Sequence, residues 1–187
     1  MKYGGQPQFT QPAQARQSLG LSFYVNPGIP GIVTQPVRKH HYALWIPTTY
    51  DGLWGDYFGI WRWHSSDVTK PSAGARRHLE LQSLLGIVPT LLALVGWALF
   101  AIRSWRDRAG LAIALLPPLA IVAYLYFAVV YWSPDGDLLN ATYMLTATAG
   151  WAIGFGYALD RIRGRLWPMT LVLLGLLALA ELPFLIY

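Results

Sequence analysis

The 187-residue chain reads as an all-α polytopic membrane protein, four transmembrane helices preceded by an irregular, aromatic-rich extracytoplasmic region. Three observations predict this. Leu81 to Ile102 is twenty-two residues without a formal charge, and at about 1.5 Å per residue it is long enough to cross a bilayer's hydrocarbon core. Three comparable stretches follow, near 109–132, 138–159 and 166–187, separated by short charged or polar links. The basic residues of this half, Arg103, Arg106, Arg108, Arg161, Arg163 and Arg165, sit only in the links 103–108 and 160–165, as positive charge does in cytoplasmic loops.

Composition divides the chain in two. Residues 1–80 are polar and rich in Gly, Pro, Gln and Trp; residues 81–187 are mostly apolar. The net charge of +5 would suit nucleic acid if it formed a patch, but its confinement to the links argues against that partner. With no cysteine, disulfides are excluded, and four scattered histidines leave no zinc set. No metal or cofactor is expected.

Residues 1–80 are expected to form an extracytoplasmic loop region with short strands and an interfacial helix. Met1 to Gly20 shows neither strand nor helix period, and it lacks the apolar centre of a signal peptide. Leu21–Val25 and Tyr42–Ile46 are strand-like runs. Arg38, Lys39, His40 and His41 make a basic cluster, read as a solvated turn near lipid rather than a phosphate contact. In "TTYDGLWGDYFGIWRW", Leu53, Trp54, Tyr57, Phe58 and Trp61 fall on one face of a short helix with Asp51 as its N-cap. Trp and Tyr would hold that helix at headgroup depth despite Gly52, Gly55 and Gly59. A further helix is expected to start after Pro71–Ser72 and run into the first span.

Within the spans, Pro117–Pro118 should kink or break the second helix. Tyr124, Tyr126, Tyr131 and Trp132 read as an aromatic belt at its end. The third span carries Thr146, Gly150 and Gly154 at four-residue intervals, a row that lets a neighbouring helix come close. Glu181, followed by Pro183, is an intramembrane carboxylate six residues from Tyr187: either a functional group or one that reaches the interface.

Arginine links in the cytoplasm put residues 1–80, the acidic link "SPDGD" and the C-terminus on the outer side of the cell membrane. Eight basic residues ahead of the first span would then have to cross without a leader. The chain is therefore expected to be the C-terminal part of a longer protein with earlier helices.

The stretches "LWGDYFGIWRW" and "DGDLLNATYMLTATAGWA" resemble the C-terminal half of GT-C glycosyltransferases. The similarity is greatest to the protein mannosyltransferase and aminoarabinose transferase group, family 39-like. That resemblance implies a fragment that moves a sugar from a polyprenyl-phosphate donor to an acceptor on the extracytoplasmic side. Its partners would be the bilayer, the polyprenyl-phosphate-linked sugar and the missing N-terminal helices. The family's catalytic carboxylate lies in a first outer loop, so no residue here inherits it. Thr142–Tyr143 stands where members often carry Arg-Tyr, so a donor-phosphate arginine is not inherited either. Trp54, Asp56, Tyr57, Trp61, Asp137 and Tyr143 are expected to line the acceptor or lipid-donor cavity, or, as the plainer alternative, to anchor the loop to lipid. The competing class is a non-enzymatic membrane component, such as a transporter half or scaffold subunit, which Pro117–Pro118 and Glu181 would suit.

Overall fold

The computed structural model describes residues 20–36, 44–55, 72–130, 141–162, 164 and 166–185, the last five by backbone alone. In order they form α1 (Leu21–Val25), α2 (Gly31–Thr34), α3 (Trp45–Trp54), α4 (Ala73–Leu85), α5 (Ile87–Arg103) and α6 (Arg108–Val130). A 3-10 helix (Ala141–Ala147), α7 (Thr148–Arg161) and α8 (Trp167–Leu185) complete the set. Among the described residues every regular element is helical. Leu21–Val25, expected as a strand, is α1, and Trp45–Ile46 of the second expected strand opens α3. Apolar runs this short carry no period that separates strand from helix, and packing decides. Here Phe23 and Tyr24 dock on the core around Tyr124.

Two helical runs are long and apolar enough to span a membrane: Ala73–Arg103, 31 residues, and Arg108–Val130, 23 residues. Only 17% and 28% of their most apolar windows are buried within the chain. The core helix of a soluble domain would be mostly covered, so these faces call for an apolar surrounding. The first run begins where expected: the Ser72 hydroxyl caps α4 by accepting the Ala75 N–H at 3.1 Å. It is interrupted once, at Gly86. Pro89, three residues on, has no N–H for the Leu85 carbonyl, and that loss separates α4 from α5.

Pro117 and Pro118, by contrast, do not break α6. They deprive the carbonyls of Ile113 and Ala114 of their helical donors. A neighbour supplies one of the two missing donors. The Trp97 indole N–H of α5 donates to the Ala114 carbonyl at 2.8 Å. Gly150 of α7 presses so close that a Cβ there would stand 2.5 Å from Pro117 Cδ and 3.1 Å from the Ile113 carbonyl oxygen.

The closest helix pair is α5 with α7, which run parallel. A Cβ on Gly96 would lie 1.9 Å from the Gly154 carbonyl oxygen, and one on Gly154 would lie 2.7 Å from the Trp97 nitrogen. Ring pairs Trp97–Trp151 and Phe100–Tyr157, with centroids 6.0 and 6.2 Å apart, continue the seam. Arg103 and Arg161 follow one turn later, so both arginine links leave from one end of the bundle.

The third expected span, 138–159, is not one α-helix in its described part. From Ala141 to Ala147 the chain winds in the tighter 3-10 form. Ala141, Met144 and Ala147, spaced by three, face the core as that winding requires. The small-residue row therefore runs Ala147, Gly150, Gly154, Ala158, all buried, while Thr146 is exposed. Extrapolating a 3.6-residue period through the 3-10 turn misplaces Thr146 by one position. α8 packs mainly on α4, where His78 Nε2 lies 2.6 Å and Gln82 Nε2 lies 3.2 Å from the Ala180 carbonyl oxygen.

Trp97→Phe should leave the Ala114 carbonyl bare and cost about 1–3 kcal/mol. Gly154→Leu should cost at least as much, because its side chain has no space beside Trp97. Thermal unfolding in detergent, read by circular dichroism, measures both.

Candidate functional site

At the end of the bundle away from the arginines, α3 lies across α4, α6 and the 3-10 helix. Its start is set by Pro47, tolerated in the first turn where no helical acceptor exists for an N–H. Its end is set by Gly55, whose N–H donates to the Asp51 carbonyl at 2.9 Å. This corrects the expected helix beginning at Asp51: Leu44, not Asp51, is the N-cap, and Asp51 lies in the last turn. The face Pro47, Thr48, Asp51 and Gly55 turns inward because it is the small, narrow one, and it buries Asp51 completely.

A buried polar layer results. Thr48, Asp51, Gln82 and Ser83 are fully covered, together with Leu79. Gly55 permits the approach, with Leu79 Cδ2 and Ser83 Oγ at 3.4 and 3.9 Å from where its Cβ would be. The Tyr50 hydroxyl donates to the Ser83 carbonyl. Burial, and secondarily the charge of Asp51, push the Tyr50 phenol well above its ordinary value. Ser83 Oγ, Gln82 Oε1 and Trp45 Nε1 are buried without a hydrogen-bond partner among the described residues. Such atoms normally hold ordered water or a polar ligand group.

Beside this layer runs a train of aromatic rings. Trp45 meets Tyr124 with centroids 5.3 Å apart, Tyr124 meets Tyr143 at 5.4 Å, and Tyr143 meets Phe127 at 4.8 Å. Tyr124, expected in a lipid-facing belt, is 1% exposed, whereas Tyr126 is 67% exposed. The Thr49 hydroxyl donates to the Trp45 carbonyl at 2.8 Å and lies 3.4 Å from the Tyr124 hydroxyl. Tyr143 closes the train at the surface, 41% exposed.

Of the six residues expected to line a cavity, Asp56, Tyr57, Trp61 and Asp137 lie outside the described residues, as do the Arg38–His41 cluster and the side chain of Glu181. Trp54 and Tyr143 are described. Trp54 is half-buried at the last position of α3: its ring covers Gly86, and its indole N–H donates to Thr90 Oγ1 at 2.7 Å. Tyr143 is reached from the first position of α3, so the two residues flank the polar layer from opposite ends rather than sharing a surface. Sequence reading missed Asp51, Thr49, Gln82, Ser83 and Tyr124. The available signal was the run Thr48–Asp51, which places Thr48 and Asp51 three apart on one helical face.

Among the described residues no group of three or more His, Asp and Glu is placed to hold a metal ion. The arrangement sets a buried carboxylate, hydroxyls and an amide beside a train of rings, of which Tyr143 reaches the surface.

Tyr50→Phe should lose about 1 kcal/mol through the bond to Ser83. A phenol raised in the folded state resists ionisation while the unfolded chain releases its proton, so stability should fall as pH rises above the ordinary tyrosine value of 10.0. The variant should flatten that alkaline fall, measurable by denaturation at stepped pH.

Comparison with known proteins finds no matching family model, curated protein or solved structure.

Proposed function

We propose that the chain is part of an integral membrane glycosyltransferase that takes a sugar from a polyprenyl-phosphate donor and passes it to an acceptor on the extracytoplasmic side. The observation that carries this reading is the buried Asp51 layer beside the Trp45–Tyr124–Tyr143–Phe127 ring train, at the end of the apolar helices opposite the arginines. In this proposal all four apolar stretches cross the inner membrane, with the arginine links in the cytoplasm. α3 lies at the outer surface, where a lipid-linked sugar would present itself. Tyr143 stacks on the sugar face, and the buried Asp51 layer holds α3 and the rings in place for it. The proposal keeps Asp56, Tyr57, Trp61 and Asp137 as candidate substrate contacts, while Trp54 stands at the opposite end of the polar layer from Tyr143. In this proposal the catalytic carboxylate comes from a first outer loop, as the family resemblance implies, and not from the residues described.

The continuous course of α6 through Pro117–Pro118 removes one of the two features that suited a transporter. A buried carboxylate in the last turn of a helix, where the backbone already presents carbonyls, is costly for a mere scaffold.

The test is binding of a polyprenyl-phosphate sugar to the purified chain, followed by quenching of tryptophan fluorescence. Saturable quenching is expected. Tyr143→Ala should weaken it about 2- to 12-fold, the range for one aromatic contact, and Asp51→Asn should weaken it further. Binding that distinguishes neither variant from the parent, or that requires no sugar, would overturn the proposal.

A further inference from the structure

α8 is gripped near one end only. His78 and Gln82 of α4 hold its Ala180 carbonyl, but among the described residues α8 makes no comparable contact with α5. The gap is a groove of about 670 Å³, lined by Val88 and Leu92 of α5, Ile162 and Leu166 of the link, and Met169 and Leu173 of α8. Thr170 brings a hydroxyl to its wall, but that group is spent on the Leu166 carbonyl at 3.0 Å. The lining is therefore apolar and presents nothing for water to bind. Its volume lies within the range of ligand-sized cavities, roughly 300–1,000 Å³.

The occupant is identified by what stands at the groove's end. Ile162 and Leu166 bring it to the link that begins with Arg161, and Arg103 leaves the bundle at the same end. Both arginines are exposed. Arg161 lies over the Tyr157 ring at 5.0 Å and donates to its hydroxyl at 2.7 Å, which fixes the guanidinium without neutralising it. Among the described residues neither arginine has a carboxylate in ion-pair range. Of the two aspartates nearby in sequence, Asp107 is engaged in capping α6 through the Gly110 N–H at 2.8 Å. An apolar slot whose lining reaches Ile162, next to the held and unpaired Arg161, matches one molecule of the surrounding solvent: a lipid with a negative headgroup.

We propose that the groove between α5 and α8 holds an acyl chain of an anionic phospholipid whose headgroup rests against Arg161. This rests on the membrane placement proposed above and not on the sugar chemistry. A second copy of the chain, or another apolar helix, would fill the slot but bring no anion to the arginines.

The test is native mass spectrometry of the detergent-purified full chain, exposed to equal amounts of phosphatidylglycerol and phosphatidylcholine with identical acyl chains. The expected result is a retained phosphatidylglycerol adduct in excess over phosphatidylcholine. Leu173→Trp and Met169→Trp, on different positions of the α8 wall, should each abolish it, with circular dichroism checking that both remain helical. Arg161→Gln should reduce the preference about 5-fold, the effect of one basic residue at an anionic surface. Equal retention of the two lipids by the parent chain, or adducts untouched by both tryptophan variants, would overturn the proposal. So would a dimer that those variants dissociate. A cysteine introduced at Gly164 in this cysteine-free chain reports sidedness separately. Labelling there from outside alone would remove the cytoplasmic assignment while leaving the lipid measurement to stand or fall by itself.

Discussion

The structure depends on how closely two backbones approach at Gly96 and Gly154. Helices in lipid gain nothing from hiding apolar surface against each other, so contact must come from packing and from polar groups that meet across the seam. Removing two Cβ atoms lets α5 and α7 touch backbone to backbone. Two results follow. Trp97 is delivered to the Ala114 carbonyl, which keeps α6 helical across two successive prolines. Arg103 and Arg161 are also brought out at the same level, which sets the charge of one whole face of the bundle.

The same seam positions the opposite end. Gly150 against Pro117 fixes the height of α7 on α6, and the 3-10 winding above it turns Met144 and Ala147 inward towards Tyr124. Tyr143 is left on the outer side of that winding, in ring contact with both Tyr124 and Phe127. The aromatic train is thus a product of helix packing rather than of a dedicated loop. α3 is then laid over it through Trp45, and the polar side chains of its narrow face meet those of α4 because Gly55 allows it.

The helical class, the start of the first run at Ser72 and the small-residue seam at Gly150 and Gly154 were legible in the sequence, because each rests on local rules: capping, apolar length and side-chain size. The interruption at Gly86 falls inside the stretch read as one span, Leu81 to Ile102, because an uncharged run hides the effect of Pro89. What was not legible depends on neighbours. Pro117 and Pro118 announce a break in any isolated helix, and only an indole from another helix cancels it. Tyr124 and Tyr126 are alike by composition, and only packing sends one inward and the other to the surface. Asp51 looked like a helix start because Asp favours caps, yet the helix had already begun at Trp45, six residues earlier, with Pro47 in its first turn. Of the candidate residues, Trp54 was named from an aromatic helical face and Tyr143 through the family resemblance, whereas the buried carboxylate between them was not named, since burial is a tertiary property.

The attachment of α8 has a mechanical meaning. α8 is bonded to α4 at Ala180, and Leu177 and Thr170 are buried as well, but no comparable contact with α5 holds its flank. Whatever sits between α5 and α8 therefore works as a wedge, and its thickness sets the angle at which the last helix stands.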